Sequence, residues 1–151
     1  MKNLFLLFTL ILSAAFANAQ TSAFIGAKFD GAYTPATAGS VGILKPIDDA
    51  HKTFWYSEFT MRGSAPGNAT VTPKTGIARL LGCQGIACLY TDAQAMGVVG
   101  QDASSGGVSG GGFGTVKLRG RYSLIFSAHG QKAPAAGGLK GVYGAGLLIT
   151  P

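Results

Sequence analysis

Ser127 and His129, two residues apart, are the pair whose side-chain types could carry a reaction in this chain. A hydroxyl beside an imidazole base is the minimum for acyl transfer. In extended backbone a spacing of two places both on one face, with Ser123 and Arg121 nearby. No acidic third member can be assigned to them from sequence, so a hydrogen-bonded polar pair is the expectation and the two remain weak catalytic candidates. Gly107-Val108-Ser109-Gly110-Gly111 fits the nucleophile-elbow pattern, but the elbow needs a helix after its serine and none is expected. Its glycines read better as places where a strand bends or lies close to a neighbour. The run from Gly106 to Gly114 lacks the lysine-serine ending of a phosphate loop. His51, beside Asp48 and Asp49, reads as a solvated loop.

Cys83 and Cys88 fit an oxidising compartment, where they would pair as a local disulfide. Two ligands fall short of the roughly four that a zinc site takes. No metal or cofactor is expected. Lys117, Arg119 and Arg121 form the one tight basic group. A nucleic-acid reader wants a denser patch with stacking aromatics, so no nucleic-acid partner is expected.

The elements that must position these groups read as strands. Eight pieces of strand character fall near residues 23–34, 40–45, 53–63, 74–82, 86–98, 107–118, 121–131 and 140–150, and every proline then lies between strands or at the end. No segment has the periodicity and caps of an amphipathic helix, so the chain is expected to be all-β. Alternation sorts the strand faces. Ile25 and Phe29 oppose Lys28 and Asp30; Trp55, Phe59 and Met61 oppose Glu58 and Arg62; Tyr122, Leu124 and Phe126 oppose Ser123, Ser127 and His129. The links after the first, third, fifth and seventh strands are generally longer than those after the fourth and sixth, as in a membrane meander.

The first nineteen residues combine Lys2, an apolar run from Leu4 to Leu12 and small residues at Ala17 and Ala19. These are the parts of a secretory signal peptide, with cleavage expected after Ala19. Removing Lys2, the one charged residue of that segment, takes the net charge from +6 to +5. Residues 20–151 then form one domain, long enough for eight strands of about 9 to 11 residues plus turns. Charged residues make up only 12% of the chain, against about 25% in soluble domains. Such a surface is hard to wet.

Together these features resemble the small outer-membrane β-barrel proteins of Gram-negative bacteria over the whole of residues 20–151. The last strand sets Tyr143, Ala145, Leu147 and Ile149 at alternate positions, as that family does, although the chain ends at Pro151 where the family carries an aromatic residue. The resemblance implies an antiparallel up-and-down meander closing into a barrel of about eight strands. Its apolar face would meet the outer-membrane bilayer, and its interior would hold Lys28, Asp30, Glu58, Arg62, Arg79, Asp92, Lys117, Arg119 and Arg121. Ala78, Leu80, Ala93, Ala95, Gly114 and Val116 would belong to the lipid face. The implied role is structural or adhesive, through loops whose partner the sequence does not name, with no wide pore because eight strands leave room only for side chains. Two rivals stay open: a soluble secreted barrel for a small ligand, and a lipid-modifying barrel enzyme. Barrel lipid A deacylases set a histidine two residues before a serine, the reverse of Ser127 and His129.

Overall fold

A computed structural model describes residues 20–30, 38–64, 68–99, 104–133 and 138–151. The expected signal segment, residues 1–19, lies outside the described residues. Eight strands follow one another: β1 (Ser22–Asp30), β2 (Ala38–Pro46), β3 (Thr53–Ser64), β4 (Asn68–Gln84), β5 (Ala87–Val99), β6 (Ser104–Lys117), β7 (Tyr122–Ala133) and β8 (Gly138–Ile149). Each pairs antiparallel with the next, and β1 pairs with β8 from Ala23↔Ile149 to Asp30↔Val142. The sheet is therefore a closed barrel and the protein is all-β.

Closure leaves no strand edge unpaired, and it fixes one inner and one outer side-chain set on every strand. The rim where β1 joins β2, and β7 joins β8, is here the upper rim; the opposite one is the lower. At the lower rim β4 and β5 meet through Gly85 and Ile86 alone. A two-residue hairpin loop with positive φ at its first position calls for glycine there, and Gly85 has φ 59°. Cys83 and Cys88 face each other just above this turn and are joined as a disulfide.

The lower half of the interior is built around an apolar cluster, although Thr115 and Ser123 are buried there too. Phe24, Leu44, Tyr56, Ala78, Phe113, Ile125 and Leu148 form one buried cluster, with Phe54 and Tyr90 packed against it. Tyr56 lies tilted between Phe24 and Phe113, at centroid distances of 5.6 and 5.4 Å, and Tyr90 stacks on Phe113 at 4.6 Å. Such ring pairs contribute about 0.5 to 1.5 kcal/mol each beyond the area they bury. This plug spans the barrel from strand to strand.

Several expectations are corrected by the observed register. Pro46 and Pro73 lie within strands rather than between them. Pro46 ends β2, a position where its missing N–H is harmless. At Pro73 the ladder with β5 passes directly from Val71 to Lys74, so the proline is accommodated where pairing is interrupted. β4 begins at Asn68 rather than near 74, which shortens the link after β3 to residues 65–67 and weakens the contrast of long and short links.

The faces of β4 are also the reverse of those expected. Pairing sets Lys74 opposite Glu58 and Ala78 opposite Phe54, so Lys74 and Ala78 are buried inside and Arg79 is exposed outside, opposite the first residue of β3. Leu80 follows the parity of Ala78 and turns away from the outer face. Past Leu80 the ladder resumes at Gly82, which leaves Leu81 as an extra residue. A bulge of this kind resets which side chains face in.

Candidate functional site

Above the aromatic plug the interior turns polar, and its centre is Glu58. This carboxylate is fully buried. Lys28 Nζ stands 3.0 Å from Oε1 and Lys74 Nζ 3.8 Å from Oε2, and the Tyr56 hydroxyl donates to Oε2 at 3.1 Å. Thr60 Oγ1 lies 3.4 Å from Oε1. A buried charge is tolerable only when paired and hydrogen-bonded, and here Tyr56 links the apolar plug to the ionic layer through one hydroxyl.

Two bridges in this layer pass over glycine. Lys28 on β1 donates to Ser127 Oγ on β7 at 2.8 Å, although β8 lies between them. Gly144 is the β8 residue paired with both, and a Cβ there would meet the Lys28 Cδ at 2.6 Å. His129 Nε2 on β7 and Asp92 Oδ2 on β5 lie 2.8 Å apart across β6 in the same way. Gly111 is the residue between them. Alternate strands in a flat sheet stand nearly 10 Å apart; inward curvature and a bare backbone bring their side chains together.

Of the expected interior residues, Lys28, Glu58 and Asp92 are buried inside, and Arg62 is half-buried near the upper rim. Asp30 closes β1, and its side chain lies outside the described residues. Arg79 is outside the barrel for the reason given above. Lys117, Arg119 and Arg121 are not interior either. β6 stops at Lys117 and β7 starts at Tyr122, so all three flank an exposed turn at the lower rim, where Gly120 has φ 61°. A short basic run at a turn stays in water, which solvates it at no cost in burial.

Ser127 and His129 do face the interior together, but to different partners. Ser127 is held by Lys28, and His129 by Asp92. The acidic partner that sequence did not assign to His129 is thus Asp92, on another strand. Ser109 of the glycine-rich motif is also buried inside, within a continuous strand rather than a strand-to-helix turn. His51 is exposed in the β2–β3 link, with φ 52° and its N–H donating to the Asp48 carbonyl at 3.1 Å.

The charged residues missed from sequence are Lys74 and Lys140. Together with Lys28, Arg62 and Gln131, which shares the polar face of Ser127 and His129, they line a cup of about 170 Å3 that occupies the upper half of the barrel. Lys140 has the inward parity of Val142 and Leu148, a signal present in the alternation of β8. Lys74 was hidden by the assumption that Arg79 points inward.

The outer face has the opposite character. Ile25, Phe29, Trp55, Phe59, Phe126 and Tyr143 are all exposed there. Among the described residues, outward strand positions carry charge only at Lys45, Arg79 and Lys132, each close to a rim. Phe29 and Tyr143 pair near the upper rim, while Trp55 and Tyr122 lie towards the lower. No family model, curated protein or solved structure matches the chain.

Proposed function

We propose that this chain is an outer-membrane β-barrel protein whose role is structural or adhesive, exercised through its upper rim, and which forms no wide pore. One observation carries the reading. A belt of apolar side chains, among them Ile25, Phe29, Trp55, Phe59 and Phe126, stands exposed on the outside while Lys28, Glu58, Lys74, Asp92 and His129 are buried within. Monomeric soluble proteins rarely expose a contiguous apolar patch beyond a few hundred Å2; a lipid-facing belt flanked by aromatic residues at both interfaces is what a bilayer selects. The uncharged stretch between Lys45 and Arg79 at one rim and Lys132 at the other supports the same reading. The aromatic plug supports the absence of a wide channel.

The chain on this reading is exported and inserts in the bilayer. Fractionation of an expressing Gram-negative cell tests it directly. The chain should sediment with the outer membrane and resist alkaline extraction; recovery as a folded monomer in the detergent-free soluble fraction would rule the reading out in favour of a secreted barrel.

A further inference from the structure

Among the described residues lining the cup at the upper rim, each ionisable side chain is a cation: Lys28, Arg62, Lys74 and Lys140. Glu58 beneath them is one carboxylate shared between two ammonium groups. Lys74 is buried, with its side chain 1% exposed, yet its Nζ is 3.8 Å from the nearest Glu58 oxygen. That distance is longer than an ordinary hydrogen bond, so Glu58 holds this ammonium by charge and loosely. Gln131 adds an unpartnered donor, because its Nε2 is buried with no hydrogen-bond partner and the residue lines the same cup.

A buried ammonium and a buried amide donor on the walls of one small space, with further cations and threonine hydroxyls around it, match a compact anion of more than one negative charge. A carboxylate carries one charge and offers its oxygens in a plane. A phosphate monoester carries about −1.5 to −2 at neutral pH and three strong acceptor oxygens, which suits donors arriving from several strands. We propose that the cup binds a phosphate group, entering from the upper rim, either as the free anion or as the headgroup of a lipid. This holds whether or not the outer face meets a membrane, so it stands or falls separately from the reading above.

Calorimetric titration of the folded full chain at low ionic strength tests it, with inorganic phosphate in one arm and dihexanoyl phosphatidate in the other. Saturable one-to-one binding is expected. Lys74→Gln should weaken it about tenfold or more, the worth of a charge-assisted hydrogen bond. Lys140→Gln, nearer solvent, should weaken it by a smaller factor, and Lys132→Gln, on the outer face, should leave it unchanged. Should Lys74→Gln fail to fold, Gln131→Leu removes a neutral donor from the same wall and should also weaken binding. Binding of inorganic phosphate identifies the free anion as sufficient; binding of phosphatidate alone identifies the lipid source. No saturable binding in either arm overturns the proposal, as does equal affinity in the cup variants and Lys132→Gln.

Discussion

His129 Nε2 and Asp92 Oδ2 meet at 2.8 Å from strands that are not neighbours, over the backbone of Gly111 on the strand between. The contact depends on that residue having no side chain. A Cβ at Gly111 would collide with the Ala128 carbonyl oxygen and come within 2.9 Å of the His129 Cα.

Gly111→Ala is therefore expected to destabilise the barrel by about 1 to 3 kcal/mol, the range for overpacking a filled interior. Gly106→Ala, where a Cβ meets nothing within 4 Å, is the control and should stay within about 0.5 kcal/mol of the parent. Equilibrium unfolding of the two variants makes the comparison; equal stabilities would mean that β6 yields and the bridge is not sterically set.

Glu58 is the counter-charge of two buried lysines. Glu58→Gln leaves Lys28 and Lys74 inside without a counter-charge, and breaking a buried ion pair this way costs about 3 to 5 kcal/mol. Replacing Lys28, Glu58 and Lys74 together by methionine should recover much of that loss, since an apolar set of similar volume removes the uncompensated charge. Unfolding midpoints that rank the single variant above the triple one would contradict the pairing.

Much of this interior was legible in the alternation of residues. Lys28, Glu58, Asp92 and His129 each share a parity with buried neighbours, and a strand leaves a side chain only two faces to choose between. Two things were not. The parity of β4 was read from its arginine, whereas register is set by the whole ladder, which places Lys74 opposite Glu58 and sends Arg79 outward. The aromatic plug was also missed, because Phe24, Tyr56 and Phe113 share faces with polar residues and apolar side chains occur on both faces of those strands. Nor does spacing within one strand identify a partner on another: Asp92 and His129 are brought together by closure.

The outer face offers the sharpest contrast between lipid and water. Phe126 is exposed, midway along the belt on β7. Phe126→Arg should reduce stability in a reconstituted bilayer by about 2 to 4 kcal/mol, whereas Tyr122→Arg at the lower rim should cost about 0 to 1. For a barrel bathed in water, both exchanges would fall within about 0.5 kcal/mol. Spin labels at Ile25, Phe29 and Leu124 should in addition be reached by oxygen and shielded from a polar relaxation agent.

The Cys83–Cys88 disulfide closes a ring with a sequence separation of five. Its entropic contribution should lie at or below the roughly 3 kcal/mol that the chain-entropy model assigns to a 15-residue loop. The double variant Cys83→Ser, Cys88→Ser should accordingly still fold, with a modestly lower unfolding midpoint. Complete loss of the folded state would show that the lower hairpin needs its covalent tie.

The β1–β8 seam, which joins Ala23 to Ile149, also dictates an order of events. A chain emerging residue by residue carries two bare strand edges, β1 and whichever strand came last, until β8 arrives. Such edges are templates for adhesion to other chains, and contacts between residues far apart in sequence form slowly. The seam acts as a clasp fastened at the end of assembly, and until it fastens the bare strand edges and the apolar outer side chains both stay open to other chains.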